Sequence, residues 1–182
     1  KIQAWREAVG EKMANYISAS AVSRGKSLHT LIENHLKNED SKSMGITAIE
    51  PLGMFRIIQP YLNRIDNIHG VEEYLYSNEI GVAGQCDCIA EYKGKLSIID
   101  FKSSSKQRDE DYNYANFLQT SAYAKMYEEI FPKYKIEQTV VLTSCADGFV
   151  QEWIHGKEKF SAHQELFYKH TKDFLDKMKI NS

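Results

Sequence analysis

The run Leu96-Ser97-Ile98-Ile99-Asp100-Phe101-Lys102 sets a carboxylate and an ammonium two residues apart at the end of an apolar stretch. On an extended strand alternate side chains share a face, so Asp100 and Lys102 emerge together. They continue the face of Leu96 and Ile98, while Ile99 and Phe101 point the other way. Burying charge costs on the order of several kcal/mol per ion, so such a pair is either a salt bridge at a strand end or a site. One hairpin upstream lies Gly84-Gln85-Cys86-Asp87-Cys88-Ile89-Ala90, and a Lys93-Gly94 turn would pair the two strands antiparallel with Asp87 alongside Asp100. In that arrangement Asp87 points opposite to Cys86 and Cys88. Adjacent carboxylates repel unless a cation lies between them, and a pair of hard oxygen donors selects Mg²⁺ or Mn²⁺. With a lysine beside them the chemistry suits phosphodiester hydrolysis. The ion neutralises phosphate and acidifies a bound water, and the ammonium orients that water or stabilises developing negative charge. Gly84 reads as a bulge or as a point of close backbone approach.

These residues need a scaffold. The chain has 182 residues, enough for one domain, because a domain of this size buries roughly 70% of the surface its unfolded chain exposes. Hydrophobic residues at 42% and charged residues at 26%, with 3 Pro and 10 Gly, exclude a collagen, a disordered chain and a repeat array. No run approaches the roughly 18 apolar residues of a membrane span, and no export leader is visible, so a soluble protein without a membrane partner is expected. Lys1 already stands inside a helical pattern (Ile2, Trp5, Val9), so an upstream piece is expected to be missing. Cys86, Cys88 and Cys145 are too few for a disulfide framework or a four-thiolate cluster and fit a reducing compartment. With a net charge of −2, a nucleic-acid partner would have to be held by a local basic surface or a metal.

Apolar spacing predicts helices over Glu11–Leu36, Met54–Ile65, Asn113–Glu129 and Phe160–Met178, the first with a break near Ser23-Arg24-Gly25. A period of two predicts strands over Glu72–Ser77, Val82–Tyr92, Leu96–Ser103, Ile136–Ser144 and Phe149–Ile154. Residues Asn38 to Gly53 read as polar and turn-prone. The order predicts an α/β or α+β layered domain, a mixed sheet flanked by helices.

Taken in order, Gly84-x-x-Asp87, Asp100-Phe101-Lys102 and Gln119-x-x-x-Tyr123 resemble the PD-(D/E)XK nuclease superfamily, in particular its RecB-like branch. In that branch a histidine-bearing helix precedes the strands, and Arg24-Gly25-Lys26-Ser27-Leu28-His29-Thr30-Leu31-Ile32-Glu33 is similar to it. The wider text, from about Trp5 to Trp153, most resembles bacteriophage exonucleases and the mitochondrial genome maintenance exonuclease. The resemblance implies a restriction-endonuclease-like α/β core over 1–182 as a single nuclease domain. It implies Mg²⁺ or Mn²⁺ held by His29, Asp87, Asp100 and the backbone carbonyl of Phe101, with Lys102 as the catalytic lysine. Gln119 and Tyr123, four apart on one helix face, would close over the site and place the lysine or the substrate. The chain lacks the four cysteines of the iron–sulfur members, so no such cluster is expected, and Cys86 and Cys88 are expected on the far side of the sheet. Without the resemblance, Gln119 and Tyr123 read as half-buried helix residues and His29 as a core or surface histidine. Glu33 reads as reaching the site or as part of a solvated face, and Glu73 as a supporting acid or an exposed strand residue.

DNA would be held by patches. Arg24 and Lys26 are expected to open the His29 helix, where free backbone N–H groups favour phosphate. Ser103 and Ser104, with Lys106 and Arg108 beyond them, could also contact phosphate. Tyr112 and Tyr114 either stack on unpaired bases or pack in the core. The expected activity is that of a metal-dependent DNA exonuclease acting on single-stranded or processed ends, with replication or recombination proteins as candidate partners. The expected location is the cytoplasm of a bacterial or phage-infected cell rather than a mitochondrial matrix. An endonuclease or resolvase on the same chemistry, and a catalytically dispensable binding module, are the alternatives. Clustered buried charge speaks against the module.

Overall fold

The computed structural model describes residues 2–39 and 48–180. Five strands form one sheet in chain order: β1 (Ile65–Ser77), β2 (Val82–Tyr92), β3 (Lys95–Ser104), β4 (Gln138–Cys145) and β5 (Val150–Gly156). All neighbours are antiparallel except β3 and β4, which are parallel and therefore need a crossover. That crossover carries a short 3₁₀ turn, Glu110–Asn113, and helix α4, Tyr114–Ile130. Before the sheet come α1 (Ile2–Val9), α2 (Glu11–Leu36) and α3 (Ile49–Leu62), and α5 (Lys157–Ile180) follows it. The fold is the expected α/β arrangement with a mixed sheet between helices.

Each sheet face carries its own core. Leu28, Ile32 and Leu36 of α2 and Met54, Ile58 and Leu62 of α3 pack on Cys88, Ile99, Phe101, Val140 and Leu142. On the other face Ala122, Tyr123, Met126 and Tyr127 of α4, with Phe160 of α5, cover Leu75, Cys86, Ile89 and Ile98. Fully burying one such Leu, Ile or Phe contributes about 1.5–3 kcal/mol. Central β4 is buried at all eight positions, as a strand covered on both faces must be. Two of its polar residues find partners there: Gln138 donates to Tyr92 O at 2.9 Å, and Ser144 to Met54 O at 2.9 Å.

The break expected near Gly25 is absent, and α2 runs unbroken for 26 residues. Gly25 serves packing instead, since a Cβ there would lie 3.3 Å from Ser103 Oγ on β3. Helix α3 begins at Ile49, inside the stretch read as turn-prone, of which residues 40–47 lie outside the described residues. Strand β1 begins at Ile65, seven residues before its expected start, and its register with β2 shifts between Asp66 and Gly70. No described helix is long and apolar enough to cross a membrane.

Candidate active site

Strands β2 and β3 pair from Tyr92↔Lys95 to Cys88↔Ile99. The next step would set Asp87 against Asp100, but the ladder stops there. The backbone N–H of Phe101 donates instead to Asp87 Oδ2, at 2.8 Å. Strand β1 brackets the same position, with Val71↔Cys88 on one side and Glu73↔Cys86 on the other, so Glu72 lies across from Asp87. Glu72 has φ 58, the left-handed region uncommon for a side-chain-bearing residue. Alternation also fails at Asp87. Cys86 packs in the α4-side core and Cys88 in the α2-side core, which corrects the expectation that both lie on one far face.

Two groups of charge meet at this opening. From β3, Lys102 Nζ donates to Asp100 Oδ1 at 2.6 Å, with the Asp100 side chain 4% exposed. Its other oxygen, Oδ2, is buried and has no hydrogen-bond partner among the described residues. From the other side, His29 on α2, Glu72 on β1 and Asp87 on β2 each offer a ligand atom, all within 4.8 Å of one another. His29 Nδ1 lies 3.7 Å from Asp87 Oδ2. Burial raises the Asp100 carboxyl above the ordinary range; Lys102 opposes the shift and the Asp87 charge adds to it. Glu72 is raised too, by burial and then by Asp87. Burial works against the Lys102 ammonium, yet Asp100 and Asp87 outweigh it and hold its pKa above the usual lysine value. Mutually repelling acids, an imidazole and one orphaned carboxylate oxygen fit a hard divalent cation.

Helix α4 closes the arrangement from the Asp100 face. Gln119 Nε2 donates to Tyr123 Oη at 3.1 Å, and the Tyr123 charge state is felt at Lys102. The Tyr123 ring lies directly on Gly84, where an added Cβ would come within 2.8 Å of both Cε1 and Oη. Gly84 is therefore neither a bulge nor free space for substrate. It seats the tyrosine. Gly84→Ala should cost about 1–3 kcal/mol of stability through overpacking and lower turnover about tenfold or more by displacing Tyr123 and Gln119. In a Tyr123→Ala background the same change should cost almost no stability, which a double-mutant cycle of thermal melts would measure. Additive costs would show that Gly84 does not act through the ring.

The basic and hydroxyl residues separate into two hollows. Lys102 and Ser103 line both. One, of about 570 Å³, also takes in Lys26, His29, Glu33 and Glu72. The other, of about 680 Å³, takes in Arg24, Ser104, Arg108 and Tyr112. Because α2 is continuous, Arg24 and Lys26 do not stand at a helix start, and their expected backbone anion site does not exist. Arg24 instead pairs with Glu50 at 3.2 Å. Ser104 Oγ donates to Lys106 O at 2.6 Å, and the Lys106 side chain is exposed outside both linings. Arg108 lies 4.5 Å over the Tyr112 ring, whereas Tyr114 packs edge-on against His163. Glu33 is ion-paired to Lys37 at 2.7 Å, and Glu73 folds against Gly70 and is not among the three clustered ligands. The acid that joins His29 and Asp87 is its neighbour Glu72. Counting back through the β1–β2 turn from Ser77↔Val82 would have placed Glu72 opposite Asp87.

This geometry has relatives. The chain is 26% identical over 153 residues to mitochondrial genome maintenance exonuclease 1 of Mus musculus, covering 81% of this chain and 45% of that protein. It is 22% identical over 153 residues to the Homo sapiens protein of the same name, covering 81% and 44%. It is 29% identical over 117 residues to that of Xenopus tropicalis, covering 59% and 32%. The chain thus spans less than half the length of these relatives. A crystal structure from Eubacterium rectale superposes with a TM-score of 0.60 over 85% of this chain and 66% of that one, at 10% identity, a likeness of fold alone. The sequence profile of one family matches residues 4–164, nearly the whole fold around the opening between β2 and β3, and the chain belongs to that family, the PD-(D/E)XK nuclease superfamily.

Proposed function

We propose that this chain is a DNA exonuclease dependent on Mg²⁺ or Mn²⁺ that hydrolyses phosphodiester bonds from a single-stranded or processed end. The observation that carries the reading is the buried Asp100–Lys102 pair, with its unpartnered Oδ2, beside the His29–Glu72–Asp87 cluster. A divalent cation held by Asp100, Asp87, His29 and Glu72 would neutralise phosphate charge and lower the pKa of a water in the cleft. Lys102, kept charged by Asp100 and Asp87, presents its ammonium where it can orient the attacking water and stabilise the charge that develops on phosphate. Tyr123, held by Gln119 and seated on Gly84, limits where the lysine and the substrate can sit.

Support for a strand end is of a different kind. Tyr112 is 66% exposed with Arg108 stacked on it, an open aromatic platform suited to an unpaired base. Ser103 and Ser104 at the end of the catalytic strand and Arg108 beyond it line one hollow with Tyr112, and the curated relatives are named exonucleases. The test is a time course at fixed salt on linear and circular single strands of the same sequence. Mg²⁺ or Mn²⁺ should support cleavage of the linear strand, the circle should survive, and excess chelator should stop the reaction. Equal rates on the circle would replace the exonuclease reading with an endonuclease one. Undiminished cleavage in chelator would sink the metal mechanism.

A further inference from the structure

Next to Lys102 the larger hollow is lined by residues whose buried donors have no partner among the described residues. Thr143 is the ladder partner of Lys102 across the parallel β3/β4 pair. It is 3% exposed, and its Oγ1 has no hydrogen-bond partner among the described residues. Asn113, at the N-cap of α4 and 4% exposed, accepts a hydrogen bond from Asn116 through Oδ1, yet its Nδ2 has no partner among the described residues. Arg24 and Arg108 each bury an Nε–H that likewise has none among the described residues. All four residues line the same hollow of about 680 Å³ as Lys102.

A buried polar group left unsatisfied costs about 1–3 kcal/mol. Native chains leave few of them, so four around one hollow call for a shared explanation. Their chemistry agrees. Guanidinium Nε and amide Nδ2 can only donate, and a hydroxyl can donate. The acid on the lining, Glu50, is engaged with Arg24 Nη1 and leaves the Nε free. Donors of this kind suit an acceptor-rich anion, and the N-terminal end of the 17-residue α4 adds partial positive charge beside them. Arg108 is already set in place, since Gln151 binds both its backbone N–H, at 2.8 Å, and its C=O, at 2.7 Å.

Resting on the nuclease reading above, we propose that Thr143, Asn113, Arg24 and Arg108 form a subsite for the phosphodiester adjacent to the one being cleaved. Thr143 and its companions line the hollow that does not include His29 and Glu72, so the phosphate they grip is the neighbour of the reacting one. A subsite of this kind grips backbone without regard to base. It also sets a minimum substrate of two linkages.

The experiment measures fluorescence anisotropy of a labelled single-stranded oligodeoxynucleotide at fixed salt in chelator, alongside thermal melts. Thr143→Val should weaken binding about tenfold, the value of one hydrogen bond to a charged group, and Thr143→Ser should restore it. Asn113→Asp should weaken binding further by setting a carboxylate against phosphate. Both Thr143→Val and Asn113→Asp should leave Tm unchanged or raised, because one removes an unsatisfied buried hydroxyl and the other places an acid at a helix N-terminus. A single methylphosphonate stepped along the strand should reproduce the loss at one linkage in the wild type and add nothing there in Thr143→Val. Wild-type binding by both variants, or binding lost only in step with Tm, would overturn the subsite. If the wild type cleaves DNA while these variants are indistinguishable from it, the subsite alone falls. If the wild type does not cleave DNA with Mg²⁺ or Mn²⁺, the nuclease reading falls with it.

Discussion

Asp100→Asn and Lys102→Ala are each expected to lower DNA hydrolysis by about 10³-fold or more while the protein stays folded. Asp100 is the carboxylate that, among the described residues, has a second oxygen buried and unengaged, so beside its pair with Lys102 it keeps an oxygen free for a cation. Removing that charge removes the counterweight that would hold a divalent ion against phosphate, and metal-assisted hydrolysis draws several kcal/mol from it. Lys102 contributes by a different route. Its ammonium is fixed by a 2.6 Å contact to Asp100 and reorients little as charge develops, the condition under which electrostatic stabilisation is worth about 10²–10³-fold per group. The fold should survive because neither side chain holds up a core: Lys102 is 30% exposed, and after Asp100→Asn the lysine keeps Asp87 as a counter-charge. Circular dichroism with a turnover assay on the same samples decides it. Near-wild-type turnover from either folded variant would show that the site is assigned wrongly.

The second large effect is on stability rather than rate. Burial pushes the Asp100 carboxyl from 3.8 to about 6, against the pull of Lys102. Below both values the folded and unfolded chains each carry the proton. Between them the unfolded chain has lost it and the folded chain has not, so stability falls as pH rises from about 4 to about 6 and then levels. A shift of that size corresponds to at most about 3 kcal/mol. Glu72, raised by burial and by Asp87, contributes in the same direction. Lys102, raised from 10.5, loses its contribution only in strongly alkaline solution, outside this window. In chelator, the wild type should therefore lose stability relative to Asp100→Asn across pH 4 to 7. Saturating Mn²⁺ should return it to the wild type alone, about 2.7 kcal/mol at a hundredfold excess over Kd. Parallel pH curves for the two proteins, or an equal response to Mn²⁺, would refute Asp100 as a ligand of the cation.

The parts of this site that rest on strand alternation could be read from the chain itself. Leu96 to Lys102 alternates cleanly, and Asp100 and Lys102 do meet. The parts that depend on departures from regularity could not. Asp87 sits where alternation breaks, so Cys86 and Cys88 fall on opposite faces although regular spacing predicts one. Glu72 has a left-handed backbone, which no local signal announces for a glutamate. Gly25 looks like a helix breaker until the neighbouring strand supplies Ser103, and Gly84 has no evident purpose until a ring from α4, far along the chain, is laid on it. Thr143 is hidden for the opposite reason. Inside a fully buried strand it looks like any other residue, and only the lack of a partner sets it apart.

The bond from the Phe101 amide to Asp87 binds catalysis to inheritance. That N–H lies where β2 and β3 part, and the carboxylate takes the place of the missing ladder acceptor. A descendant that gave up hydrolysis would be free to lose Lys102, whose ammonium hydrogen-bonds Asp100, but would still be penalised for losing an oxygen at position 87. An Asp or Asn at that position in a relative is therefore a mark of an intact sheet and says little about whether the relative still cuts. The survival of Asp100 and Lys102 together, which support no backbone group, is the record to read for activity.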